Sequence, residues 1–223
     1  MSEPSNPAAP RLEKLGISRD RPLVIVDVDE VLGLFMKGFG VFLAERGYDF
    51  RIDRFALFQN IYAPGAHEHL DVETGRGLFD EFFATRCAEI EPAPGAVEAL
   101  RRLHRRAEIL ILSNAPPQAE QLRGAWLKRH GLPHPLILGS GLKGPLTAGL
   151  VAQTPHRTAF VDDLLPNLDS VAEHAPQTAT FQHVADERLR PLAPSAPERH
   201  PRIDDWPELA AAIEAAIVGG RRA

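Results

Sequence analysis

One short segment constrains this chain more than any other. Leu23-Val24-Ile25-Val26-Asp27-Val28-Asp29-Glu30-Val31-Leu32 is a branched apolar run that ends in two carboxylates, Asp27 and Asp29, one residue apart. A run this short and without polar alternation predicts a strand buried on both faces, as in a parallel sheet covered by helices. Open α/β sheets hold their ligands beyond the carboxyl ends of the strands, so the acidic pair stands where chemistry is expected. Taken alone, the segment is equally well read as a strand that runs into an acidic turn.

The rest of the chain supplies what paired carboxylates would need. Leu110-Ile111-Leu112-Ser113-Asn114 is a second apolar run with a small polar end, and Ala159-Phe160-Val161-Asp162-Asp163 is a third, closing on another acidic pair. Between them lies Lys143, flanked by Gly141 and Gly144. Singly, each has a plainer reading: Ser113 as a helix N-cap, Asp162-Asp163 as a solvated turn, and Lys128 or Arg157 as rivals for the cation. Lys128 sits in a helix-like Trp126-Leu127-Lys128-Arg129 run, where a solvated face is the default. Apolar strands with polar ends, separated by helical stretches, predict an α/β fold in which one sheet edge gathers these groups.

In that order and placement the four segments resemble the motifs of the haloacid dehalogenase-like superfamily. Asp27-Val28-Asp29-Glu30-Val31 is similar to its first motif, Ser113 to the second, Lys143 to the third, and Asp162-Asp163 with Asn167 to the fourth. The resemblance covers roughly 21–32 and 94–181. It departs at Glu30, where many members carry Gly.

The resemblance implies a Rossmann-like parallel sheet with helices on both faces and a small α-helical cap, with the first strand between those carrying Ser113 and Asp162. It implies Mg2+ as cofactor, held by Asp27, Asp29 through its backbone carbonyl, and Asp162, while Asp163 joins the shell or orients Lys143. Asp27 would be the nucleophile, Asp29 the general acid and base, and Ser113, Asn114 and Lys143 the phosphate-binding groups. The implied function is magnesium-dependent hydrolysis of a small phosphomonoester through an aspartyl-phosphate. The dehalogenase branch lacks the second Asp, because carbon–halogen cleavage leaves no alkoxide to protonate, so Asp29 points to phosphoryl chemistry. A metal-independent haloacid dehalogenase and a non-catalytic binding or regulatory protein on the same fold are the alternatives.

Elementary chemistry explains the combination. A phosphate monoester is anionic, so an attacking carboxylate meets like charge unless a cation screens it. Magnesium prefers hard oxygen ligands and retains waters, which suits a few carboxylates and a substrate phosphate. A covalent step on Asp27 would split one difficult displacement into two.

Composition narrows the partners. The formal charge of -5, with no dominant basic stripe, argues against nucleic acid and anionic membranes and leaves a small-molecule phosphomonoester, with a homodimer left open. Arg101, Arg102, His104, Arg105 and Arg106 read as the solvated face of a helix that buries Val97, Leu100 and Leu103. The single cysteine, Cys87, permits no intrachain disulfide and reads as a small hydrophobe on a helix near Phe82 and Phe83. The polar start has no signal-peptide pattern, and no apolar run approaches the roughly 20 residues that span a bilayer. A cytoplasmic location is the default expectation.

Organisation follows from the same patterns. Residues 1–20 read as a flexible lead, 21–32 and 94–223 as the Rossmann-like core, and 33–93 as a helical cap. Leu34, Phe35, Phe39, Phe42 and Leu43 recur at helical spacing before Gly47-Tyr48-Asp49, and a second helix is expected near 78–90. Pivots are expected near Gly33 and across Glu91-Pro92-Ala93-Pro94-Gly95. Arg51, Arg54, Gln59, His67, Glu68 and His69 are the polar candidates for substrate contact. The last three do not have the ligand pattern of a zinc site. Phe55, Phe58, Phe79, Phe82 and Phe83 read as cap core. After the fourth motif, Thr178-Ala179-Thr180-Phe181 suggests a short last strand, and Asp205 an N-cap for a terminal helix anchored by Trp206.

Overall fold

The computed structural model describes residues 9–218. The first apolar run forms β1 (Leu23–Val26), in which all four side chains are buried. They divide by parity: Val24 and Val26 enter one core cluster, Leu23 and Ile25 the other. That alternation is what a strand sandwiched between two helical layers requires, and each such side chain contributes about 1.5–3 kcal/mol.

Around β1 the sheet is wholly parallel. β4 (Glu108–Ser113) pairs on one side and β6 (Thr158–Asp162) on the other, so Val26 stands opposite both Ile111 and Val161. β5 (Leu136–Leu138) lies beyond β4 and β7 (Thr178–Gln182) beyond β6, giving the order β5-β4-β1-β6-β7. The first strand is therefore central, between the strands that carry Ser113 and Asp162. Asp27 follows directly, its N–H donating to Val161 O at 3.0 Å. This register brings the polar ends of three strands to one edge.

One sheet face is covered by α3 (Ala96–His104), α4 (Glu120–Arg129) and α7 (Trp206–Ile217), whose apolar residues join Val24 and Val26. The other is covered by α5 (Gly144–Val151) and α6 (Leu165–His174). Asp205 caps α7 by accepting from Glu208 N at 3.0 Å, and the buried Trp206 donates to Val31 O at 3.0 Å, anchoring the terminal helix beside the acidic turn.

Residues 9–20 are not the flexible lead that the sequence suggests. Leu12 and Ile17 are buried in the α5/α6 layer, and the Gln153 carboxamide clamps the segment, accepting from Leu12 N and donating to Pro10 O, both at 3.0 Å. Two apolar side chains in a polar stretch suffice to dock it. The first eight residues of the expected lead lie outside the described residues.

Between β1 and α3 the chain makes α1 (Phe35–Glu45) and α2 (Val72–Thr85), packed through the rings of Phe35, Phe39, Phe42, Phe82 and Phe83. Helix α2 begins earlier than expected, where Asp71 caps it by accepting from Thr74 N at 2.8 Å, and it ends at Thr85, short of the expected residue 90. Cys87 thus sits just beyond the helix, buried, its thiol donating to Phe83 O. The insert is also not purely helical. A two-stranded antiparallel ribbon, β2 (Asp49–Phe50) with β3 (Ile61–Tyr62), joins the helices, and its strands are too short to show an alternating pattern in sequence. Exit and return run side by side: Leu34 N donates to Glu91 O and Ala93 N to Leu32 O. Among the described residues no helix is long and apolar enough to cross a membrane.

Candidate active site

At the carboxyl edge of the sheet, Asp27, Asp162 and Asp163 offer carboxylate oxygens that all lie within 4.8 Å of one another, every residue buried. Lys143 is buried among them, with Nζ 2.7 Å from both Asp27 Oδ1 and Asp162 Oδ2. Only the contact to Asp162 has hydrogen-bond alignment. Asp27 Oδ1 is in charge contact with the ammonium yet has no directed donor.

Lys143 reaches this position through its neighbours. Gly141 holds a left-handed φ of 73° in the preceding turn, and a Cβ on Gly144 would lie 2.2 Å from Ser170 O. Only glycine there lets the start of α5 press against α6, which sets Lys143 beside β6. Its rivals Lys128 and Arg157 are exposed and take no part.

The second acidic pair divides its work. Asp162 is fully enclosed and saturated: Oδ1 accepts from Leu164 N and Asn167 Nδ2, both at 3.0 Å, and Oδ2 from Lys143. Asp163 instead lines the cavity over Asp27. Asp162 is thus the carboxylate that holds the Lys143 ammonium by a directed hydrogen bond, and Asp163 the one that faces the cavity.

Burial dominates the electrostatics. It pushes Asp27 up to about 7, with Lys143 opposing the shift and the charges of Asp162 and Asp29 adding to it. Burial, then Asp162 and Asp27, raises Asp163 well above the usual carboxylate range. Burial works against the Lys143 ammonium, but Asp162 and Asp27 overcome it and hold its pKa above the ordinary value.

Ser113 and Asn114 follow β4. The Ser113 hydroxyl is wholly buried with no hydrogen-bond partner, and Asn114 donates to Gly141 O at 2.7 Å while its Oδ1 is unpartnered.

Asp29 lines the same cavity as Asp27 and Asp163 but stands outside the cluster of three carboxylates. Its Oδ1 accepts from Nη2 of the fully buried Arg123, on α4. Glu30 sits at a positive φ of 58° and is buried, with Oε1 accepting from Met36 N at 2.7 Å and Oε2 from Asp186 N at 3.1 Å. Burial raises Glu30 to about 8 despite these bonds. It staples the acidic turn to the start of α1 and to the loop after β7.

No family model matches the sequence, and no curated protein matches it. Solved structures share its architecture. A HAD family hydrolase from Deinococcus radiodurans R1, with bound phosphate and sodium, is 18% identical with a TM-score of 0.59, covering 89% of this chain and 97% of its own. The HAD-hydrolase YfnB from Bacillus subtilis, bound to magnesium, is 12% identical with a TM-score of 0.59, covering 86% and 98%. The defluorinating L-2-haloacid dehalogenase Rha0230 is 16% identical with a TM-score of 0.57, covering 89% and 98%. The chain has the haloacid dehalogenase-like fold.

In this haloacid dehalogenase-like fold the insert forms one wall of a cavity of about 270 Å³ whose opposite wall carries Asp27, Asp29, Asn114, Lys143 and Asp163. A neighbouring cavity of about 530 Å³ shares Phe79, Asn114 and Lys143 with it and adds Arg76 and Asp80 from α2. None of Arg51, Arg54, Gln59, His67, Glu68 and His69 lines either cavity. Arg51 pairs with Asp49, and Arg54 with Asp53. His67, Glu68 and His69 are exposed. The aromatic stripe is core as expected, Phe82 and Phe83 buried within it and Phe55, Phe58 and Phe79 packed against it, and Phe55, Phe79 and Phe83 also line the cavity over Asp27. Arg123 had no sequence signal beyond a charged residue on a helix of mixed composition.

Proposed function

We propose that this protein is a magnesium-dependent phosphomonoesterase in which Asp27 is the nucleophile. The observation that carries the reading is the cluster of three buried carboxylates, Asp27, Asp162 and Asp163, against the one ammonium of Lys143, open to a cavity that also reaches Asp29. Buried negative charge in excess of its partners is costly, and the raised pKa of Asp27 expresses that cost. A hard divalent cation fits such an oxygen set, with Asp27 and Asp163 on the cavity side and Asp162 behind them. When bound there, magnesium supplies the positive charge that lets an anionic nucleophile approach an anionic ester.

The residues then divide the reaction. Asp27 forms the bond to phosphorus as the ester oxygen departs, giving an aspartyl-phosphate. Asp29 protonates the departing alcohol oxygen and later takes a proton from the water that hydrolyses the intermediate. Lys143 and Asn114, which line the cavity, bind the non-bridging oxygens, and Ser113, buried behind the lining of both cavities with an unpartnered hydroxyl, is assigned beside them. The insert acts as a cap, 33–93, whose side-by-side connections at Leu34–Glu91 and Leu32–Ala93 suit a pivot. Dehalogenation would leave Asp29 without a proton to deliver.

The test is phosphate release from sugar, nucleotide, alkyl and aryl phosphates with and without magnesium, beside halide release from 2-haloacids. Magnesium-dependent phosphate release is the expected result. Halide release without metal, and no phosphate release, would make the protein a dehalogenase.

A further inference from the structure

The cavity over Asp27 is divided by origin. Every polar side chain that lines it comes from the core, among them Asp27, Asp29, Asn114, Lys143 and Asp163. The insert contributes only apolar side chains: Phe35, Met36, Phe55, Leu57, Phe79 and Phe83, with Ala56 between two of them. Three of the rings form a continuous surface, with centroids 4.5 Å apart for Phe79 and Phe83 and 5.7 Å apart for Phe35 and Phe83.

We infer that the alcohol half of the substrate is a compact apolar group of aromatic size, so that the protein acts on aryl or arylmethyl phosphates and discriminates against polyhydroxylated ones. The inference rests on the phosphatase reading and deepens it. A phosphoryl group seated among Lys143, Asn114 and Asp27 presents its ester oxygen near Asp29, so the carbon attached to that oxygen meets the wall from the insert. Sugar hydroxyls there would lose water and find no partner, at about 1–3 kcal/mol each. An aromatic ring loses nothing on desolvation and gains edge and face contacts with Phe35, Phe79 and Phe83. Arg76 and Asp80 of the insert line the neighbouring cavity, which shares Asn114 and Lys143 with this one but reaches neither Asp27 nor Asp29. At about 270 Å³ the chamber lies near the lower end for small-ligand pockets, about 300 Å³, a size suited to one ring.

Benzyl phosphate and glucose 6-phosphate test this directly, because both release a primary alcohol and differ mainly in what surrounds it. With magnesium, kcat/KM should favour benzyl phosphate by about a hundredfold or more, the sum of two unpaired hydroxyls. Leu57→Gln and Phe55→Asn, at half-buried wall positions outside the packed aromatic core, should each raise KM for benzyl phosphate about tenfold and leave inhibition by inorganic phosphate unchanged. Equal kcat/KM for the two esters, or an unchanged KM in both variants, overturns the inference and leaves the phosphatase reading standing. Should neither ester release phosphate, calorimetry with benzylphosphonate decides. Binding at least tenfold tighter than inorganic phosphate supports the apolar chamber while the phosphatase reading falls, and equal binding overturns both.

Discussion

Arg123, fully buried on α4, donates from Nη2 to Asp29 Oδ1, and this one contact ties the general acid of the proposed reaction to the core. Nε and Nη1 of the same guanidinium are buried without partners, and its Cζ lies 5.1 Å from the centre of the Phe83 ring. A planar cation held by one charge partner and one aromatic face fixes the direction in which Asp29 points. Removing it would leave a carboxylate facing an apolar wall.

Arg123→Met should therefore destabilise the fold by about 1–3 kcal/mol, since it leaves the half-buried Asp29 carboxylate without its partner. Arg123→Lys keeps the charge but not the planar fork. It should fold and lose about tenfold in kcat with little change in KM, as expected when a proton donor is misdirected. Urea unfolding and steady-state kinetics check the two parts. Wild-type kcat in Arg123→Lys would show that the pairing serves stability alone.

Asp29→Asn separates the two half-reactions. With p-nitrophenyl phosphate, whose leaving group needs no proton, the variant should release about one equivalent of nitrophenol in a burst and then turn over about 10²–10⁴-fold more slowly than wild type. With an alkyl phosphate it should show no burst. Rapid-quench measurement on both esters reads this, and equal slowing of both without a burst would remove Asp29 from its role.

Stability in the absence of magnesium should fall as pH rises. Burial lifts Asp27 to about 7 and Glu30 to about 8, so between about pH 4 and these values the folded protein holds protons that the unfolded chain has released. The folded state binds more protons across that window, and its stability therefore declines with pH. Chelator-treated protein should melt lower at about pH 8 than at about pH 5, Asp27→Asn should flatten the profile, and magnesium should raise the melting temperature most at the alkaline end. A melting temperature that climbs through the same range contradicts this.

Glu30 occupies a left-handed backbone position at φ 58°, where glycine would be relaxed by about 1 kcal/mol or more. Its carboxylate nevertheless satisfies two backbone donors, Met36 N and Asp186 N, each worth about 1–3 kcal/mol when left buried and unpaired. Glu30→Gly should thus destabilise the protein by about 1–3 kcal/mol on balance, measured by urea unfolding. A more stable Glu30→Gly protein would mean that the staple between the acidic turn, α1 and the loop at Asp186 contributes less than the strain.

The sheet was legible because its information is local: four fully buried apolar residues in β1, and apolar runs with polar ends in β4 and β6, state both burial and order. Asp27, Ser113, Lys143 and the Asp162-Asp163 pair could be singled out for the same reason. What depended on three-dimensional approach could not be read. The contact of Gly144 with Ser170, which seats Lys143, joins distant segments. So does Arg123 with Asp29, on separate elements. The division of labour between Asp162 and Asp163 turns on which carboxylate faces inward, and the apolar wall on which aromatics of a stripe face the cavity. Docking of Leu12 was hidden because two isolated apolar residues have no periodicity.

The claim on which the account rests is that Asp27 becomes phosphorylated. Acid quench during turnover with magnesium and benzyl phosphate, followed by peptide mapping by mass spectrometry, tests it most directly. The account predicts a phosphoryl group on Asp27 that is absent without magnesium and absent in Asp27→Asn, which releases no phosphate. An Asp27→Asn protein that turns over at the wild-type rate, or a phosphoryl group on another residue, would contradict it.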